Sequence, residues 1–154
     1  MCGLAAFFEP GRVFSDSLLS AVSSDLYHRG PDSEGKISEK GFGLVFRRLT
    51  IIDPIKLSDQ PMTSRDGNST VIFNGEIYNH NEIRSALEKI SNRNWHGHSD
   101  TETLLAAIEE WGLDSALRKT KGMFALALWD KLNKKLSLAR DRLGEKPLYY
   151  GWVN

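Results

Sequence analysis

Cys2 is the only cysteine among 154 residues, and it stands directly behind the initiator methionine. A small residue at the second position permits removal of Met1, which would make Cys2 the N-terminal residue. Its α-amine, with an ordinary pKa of about 7.7–8.0, could then serve as general base for its own thiol, directly or through one water. Such a nucleophile needs no histidine. Asn74-Gly75 offers complementary chemistry: two side-chain amide donors, beside a backbone N–H that a ligand can approach closely. Together they could hold the oxyanion formed when a thiolate attacks an amide. Arg48 and Asp100 add a pair of opposite charges, suited to the α-carboxylate and α-ammonium of an amino-acid substrate.

Each of these residues also has a plain structural use. A buried first strand can hold cysteine as a small apolar residue. Asn-Gly after a strand is a common hairpin turn, and Ser99-Asp100-Thr101-Glu102 reads as a helix N-cap. Arg48 fits a surface charge at a strand end. His28, His80, His96 and His98 invite a metal reading, but His96-Gly97-His98 lacks the i, i+4 spacing of a helical ligand pair. Loop histidines facing solvent are expected instead, and no metal site. A pairing of Cys2 with His28 stays open on spacing alone. The lone cysteine excludes an internal disulfide and a zinc site built on several thiolates. No GxxxxGK phosphate loop is present.

The elements that must position these residues follow from periodicity and turn chemistry. Gly3 to Phe8 reads as a buried strand that ends at Glu9-Pro10-Gly11. Ser15 or Asp16 can cap a helix with Leu18, Leu19, Val22 and Leu26 on one stripe. His28 to Asp32 forms a loop. Gly43 to Phe46 and Leu49 to Ile52 are short strands, and Asp66-Gly67-Asn68 is a hairpin tip. Val71 to Phe73 is a strand running into Asn74-Gly75-Glu76. Asn79 or Asn81 caps a helix through Ile83, Leu87 and Ile90; Asp100 starts another that Gly112 ends, and Leu113 to Leu117 is a short third. Met123 to Trp129 is a strand buried on both faces. Leu136 to Arg140 returns as a strand, and Leu148 to Val153 is the last. Clustered strands with helices between them argue α+β with mainly antiparallel sheets.

Composition narrows the function classes. Lys+Arg and Asp+Glu are 20 each, so no net charge draws the chain to nucleic acid or an anionic membrane. No apolar run approaches the roughly 20 residues that span a bilayer. The apolar start has no basic flank and ends early at Glu9, unlike a secretory signal. A cytoplasmic location is expected.

Several segments are more specific together than apart. Met1-Cys2-Gly3, His28-Arg29-Gly30-Pro31-Asp32, Arg48-Leu49-Thr50-Ile51-Ile52-Asp53, Asn74-Gly75-Glu76-Ile77-Tyr78-Asn79-His80, Ser99-Asp100-Thr101-Glu102 and Ala139-Arg140-Asp141-Arg142-Leu143-Gly144 occur in that order. With the tracts Gly122 to Asp130 and Lys146 to Gly151, they resemble the class II glutamine amidotransferase domain of glutamine-hydrolysing asparagine synthetases. The likeness covers nearly the whole chain, and the domain it implies runs over residues 1–154. It implies an N-terminal-nucleophile hydrolase fold, a four-layer αββα sandwich with two stacked antiparallel sheets. It implies that Cys2 attacks the glutamine side-chain amide to give a thioester, with Asn74 and the Gly75 N–H as oxyanion hole. Arg48 would bind the α-carboxylate, Asp100 with Glu76 nearby the α-ammonium, and backbone groups of Leu49, Thr50, Ile51 and Ile52 would line the pocket. The glutaminase step would use no cofactor.

The family's second domain binds ATP with magnesium through a Ser-Gly-Gly-Leu-Asp-Ser type loop, and these 154 residues hold no such segment. The expected partners are therefore glutamine and a synthetase domain, with room for a homodimer. His98 stands where a small residue such as Thr is expected, and Glu145 where an apolar residue is common. Two other functions stay open: a glutaminase domain serving a sugar or another acceptor, and a non-catalytic module that binds glutamine or a partner.

Overall fold

Strand residues alternate between two faces, and what each face meets sets the layers of this molecule. The structure is a computed structural model that describes residues 1–50 and 59–152. Its elements run β1 (Gly3–Phe8), α1 (Asp16–Asp25), β2 (Ser33–Glu39), β3 (Phe42–Arg48), β4 (Met62–Thr63), β5 (Ser69–Ile77), α2 (His80–Glu88), α3 (Asp100–Trp111), α4 (Leu113–Lys119), β6 (Gly122–Asp130) and β7 (Lys135–Arg140). A 3-10 turn at Tyr27–Arg29 occupies part of the loop expected after α1.

One antiparallel sheet has the order β1-β3-β2, and a second has the order β4-β5-β6-β7. Phe42, Leu44 and Phe46 of β3 turn toward the second sheet and pack with Ile72, Ala127 and Trp129. Val45, on the opposite face, packs with Phe14 and Leu19 on the α1 side. β5 and β6 divide in the same way. Val71, Phe73, Ile77, Phe124, Leu126 and Leu128 face Ile83 and Leu87 of α2, Leu104 and Ala107 of α3, and Ala116 of α4. The layers are therefore helix, sheet, sheet, helix, the αββα sandwich the resemblance implied, and Met123 to Trp129 lies in a strand covered on both faces.

Three expectations change, and the turn reading of Asn74-Gly75 falls. Asn74-Gly75-Glu76 is no turn: it continues β5, opposite Ala125, Phe124 and Met123. Ser33–Glu39, which carries no strand signal in its residues, pairs with β3 along its whole length. Its only large apolar side chain is Ile37, and a polar strand suits the outer edge it occupies. The expected strand Leu49 to Ile52 does not form at Leu49 and Thr50, because β3 already ends at Arg48; Ile51 and Ile52 lie outside the described residues. Leu148 to Trp152 form no strand either. They pair with no sheet edge, and Tyr149 and Trp152 are 91% and 94% exposed; Val153 lies outside the described residues. Among the described residues, no helix is long and apolar enough to cross a membrane.

Candidate active site

Alternation brings three strands' worth of chemistry to one interior space. Cys2 lies just before β1, in step with Leu4 and Ala6, and packs with them between the sheets. Arg48 continues the Phe42-Leu44-Phe46 face of β3, and Asn74 the Ile72 face of β5. All three line a cavity of about 500 Å3, with Leu49, Gly75, Glu76 and Asp100 on its walls. Thr50 is not on that wall, and Ile51 and Ile52 lie outside the described residues.

The nucleophile candidate is clamped through backbone. Cys2 Sγ lies 3.5 Å from the Leu49 N–H nitrogen and 3.8 Å from the Leu49 carbonyl oxygen. The Cys2 carbonyl accepts from Arg29 Nε at 3.2 Å. Asp32 fixes the segment around Leu49: its N–H donates to the Arg48 carbonyl at 3.1 Å, and its carboxylate accepts from Thr50 N–H at 2.6 Å. Gly30 permits this approach, since a Cβ there would come within 2.7 Å of the Arg48 carbonyl carbon. His28 does not pair with Cys2. Its Nδ1 lies 2.9 Å from the Asp25 carbonyl oxygen.

The edge of β5 provides the donors. β4 covers that edge only opposite Thr70 and Val71. Beyond it, the Gln60 side chain imitates a strand, accepting from Phe73 N–H and donating from Nε2 to the Phe73 carbonyl at 3.2 Å. Ile77 N–H donates to Asp100 Oδ2 at 2.9 Å. Gly75 sits between Phe73 and Ile77, and antiparallel alternation points its N–H to the same side. Its neighbour across the ladder agrees: Phe124 donates its N–H to Asp141, and its carbonyl accepts from the Asp141 N–H. The Gly75 N–H therefore faces the cavity, without a protein acceptor among the described residues. A Cβ at Gly75 would collide with the backbone of Met123 and Phe124, so glycine is required to keep the ladder closed. Asn74 is 6% exposed.

Charge is divided between the cavity's sides. Arg48 Nη1 pairs with Asp59 Oδ1 at 3.2 Å. Ser99, not Asp100, caps α3, accepting from Glu102 N–H at 3.1 Å. Asp100, at the first helical position, is thereby free to face β5. Burial raises its carboxyl above the ordinary carboxylate value and Glu76 adds to this, against the Ile77 and Thr101 N–H groups and the His80 ring. His98 stands on the same wall. Gln60 and Lys146, both buried on the cavity wall, were not singled out by sequence. A polar residue before proline reads as loop, and a single lysine carries no spacing signal. Among the described residues, no three His, Cys, Asp or Glu side chains come together as metal ligands would.

Comparison with known proteins bears on the fold and the family. The glutamine phosphoribosylpyrophosphate amidotransferase from B. subtilis, solved with ADP and GMP, superposes with a TM-score of 0.68 over 92% of this chain and 37% of its own. At 16% identity the likeness speaks for the fold, that of the N-terminal-nucleophile hydrolases. The family model described as a glutamine amidotransferase domain matches residues 1–154, and the chain belongs to that family. Asparagine synthetase [glutamine-hydrolyzing] 1 of Bacillus subtilis (strain 168) is 39% identical across 100% of this chain. Amidase chyE of Penicillium rubens is 38% identical across 97%. The chain spans 24% of the length of each of these two relatives.

Proposed function

We propose that this chain, once Met1 is removed, hydrolyses the side-chain amide of glutamine at Cys2. One observation carries the reading: the Cys2 thiol, the open Gly75 N–H beside Asn74, and the opposite charges of Arg48 and Asp100 border a single cavity. Arg48 holds the substrate α-carboxylate, Asp100 with Glu76 the α-ammonium, and Leu49 frames the amide.

The thiol proton passes to the Cys2 α-amine as sulfur attacks the amide carbon. The carbonyl oxygen becomes an oxyanion held by the Asn74 amide and the Gly75 N–H. Collapse returns a proton to the nitrogen, ammonia leaves, and a thioester remains. Water then attacks the thioester, releasing glutamate and restoring the thiol. The sequence of steps calls for no metal or cofactor from this domain.

Ammonia passes to an acceptor held by a synthetase domain, where ATP and magnesium belong, and aspartate is the acceptor favoured by the relatives' names. The short span of this chain against those relatives supports such a partner.

Glutamate release from glutamine, with loss of Met1 confirmed by intact mass, tests the reading. Cys2→Ala should lower turnover by at least about 10⁴-fold and leave the melting temperature within a few degrees. Turnover unchanged by that substitution overturns the mechanism.

A further inference from the structure

The β5 edge that borders the cavity is closed on either side of Gly75 and open at Gly75 itself. Phe73, Gly75 and Ile77 turn their N–H groups away from β6. The Phe73 position is taken by the Gln60 side chain, which accepts from the N–H and donates from Nε2 to the carbonyl at 3.2 Å. The Ile77 N–H is taken by Asp100 Oδ2 at 2.9 Å. Between them the Gly75 N–H has no protein acceptor among the described residues. Gln60 is 8% exposed and lines the same cavity.

The Gln60 amide has one orientation here. A backbone N–H needs its carbonyl end, and a backbone carbonyl needs its NH2 end. The second amide hydrogen is left for Thr101 Oγ1, 3.4 Å from Nε2. That hydroxyl lies 3.5 Å from Asp100 Oδ1. Polar contacts thus run from Phe73, beside Asn74-Gly75, to the carboxylate of Asp100. Gln60 is also seated from behind: a Cβ at Gly35 of β2 would strike its backbone carbonyl. Its neighbour Asp59 accepts from Arg48 Nη1 at 3.2 Å and from Ser33 Oγ at 3.4 Å. Consecutive residues therefore reach the walls that carry Arg48, Gly75 and Asp100.

We propose that Gln60 is a positioning residue: by closing the Phe73 position and bracing Thr101, its amide fixes the open Gly75 N–H where the oxyanion would form. Without it, the Phe73 N–H and carbonyl would lie buried and unpaired, and the strand would relax beside Gly75. An oxyanion donor acts only when it is held in place before the charge develops. The charges that would bind the rest of the substrate keep other supports, Asp59 for Arg48 and the Ile77 N–H for Asp100. Ground-state binding should therefore survive where the chemical step suffers.

The proposal rests on the glutaminase reading, but its test does not need turnover. The probe is the glutamine analogue whose side-chain amide is replaced by a nitrile. The Cys2 sulfur adds to the nitrile carbon, the thiol proton ends on the nitrogen, and a thioimidate forms with nothing lost. Intact mass follows the adduct on the processed chain, and rates are taken per Cys2 that finally carries it, so unfolded chain is not counted. Gln60→Glu keeps the acceptor for Phe73 N–H and, when ionised, loses both donors. The saturating rate of adduct formation should fall about 30-fold, and kcat for glutamine with it. The half-saturating concentration and KM should stay within about threefold of the parent. Gln60→Met, close in length and uncharged, guards against misfolding of the carboxylate variant and must show the same split.

Saturating rates in both variants that match the parent would overturn the role, as would a loss confined to half-saturation. A parent that takes the adduct but releases no glutamate refutes the hydrolysis reading and leaves Gln60 judged by the adduct rates. A parent that takes no adduct refutes both.

Discussion

Two aspartates border the β5–β6 ladder, and comparing them shows how one side chain is made structural and another made ready for a ligand. Burial works to raise both carboxyls. At Asp141 four backbone N–H groups, from Phe124, Leu143, Glu145 and Lys146, outweigh burial and hold the carboxyl down to about 2. At Asp100 burial wins: the Ile77 and Thr101 N–H groups and the His80 ring do not compensate it, Glu76 opposes them, and the carboxyl is raised. Asp141 closes a corner where β7 ends and the Lys146 segment begins. Asp100 borders the cavity, short of donors, where an incoming ammonium would supply what the protein does not. A carboxylate's donors, more than its burial, separate the two roles.

The largest expected effect is on the saturated member. Asp141→Ala removes the shared acceptor of four N–H groups, three of them in the turn that follows β7. With about 1–3 kcal/mol for each buried donor left unsatisfied, and incomplete additivity, about 4 kcal/mol of stability should be lost at pH 7. Urea unfolding measures it. The sign with pH follows from the lowered carboxyl. Its contribution is complete above the ordinary carboxylate value of about 4 and is lost as pH falls through about 2. The gap between variant and parent should therefore narrow across that window; a gap that stays constant would show that the four N–H groups do not act on an ionised carboxylate.

Asp100→Asn should do the reverse. The amide can still accept from Ile77, so the fold is kept, but the charge for the ammonium is gone. KM for glutamine should rise about 30–100-fold, with kcat within about threefold, as expected when a charge-assisted contact of about 2–3 kcal/mol is lost from ground and transition states alike. Because the folded carboxyl is raised, its ionised form opposes folding at neutral pH, and that penalty vanishes as pH falls below the ordinary carboxylate value. The variant should be no less stable than the parent at pH 7, and any gain should disappear on acidification. A marked fall in melting temperature at pH 7 would make Asp100 a second Asp141.

The sequence was most legible where pattern and packing coincide. β1, α1, α3 and β6 carry apolar residues at the period of the element they form. Cys2, Arg48, Asn74 and Asp100 suggested their chemistry by type, and the order of motifs tied them to one family. Legibility failed where tertiary partners decide. Asn74-Gly75 has the composition of a turn, but pairing with Ala125 and Phe124 draws it into β5. Ser33–Glu39 is a strand only because β3 offers it an edge. Gln60 acts as a short piece of strand through its side chain, which no spacing rule anticipates. The contacts of Arg29 and Asp32 with the Cys2–Leu49 region join segments far apart in sequence, so the loop was legible as a motif and not as a clamp.

The central claim is that a processed Cys2 attacks a glutamine seated in this cavity. It is tested most directly by intact mass after treatment with a glutamine analogue bearing an electrophilic carbon in place of the amide. The account predicts a single adduct on Cys2, prevented by excess glutamine and absent from chain that retains Met1. Labelling that glutamine does not compete, or that proceeds equally with Met1 in place, would contradict it.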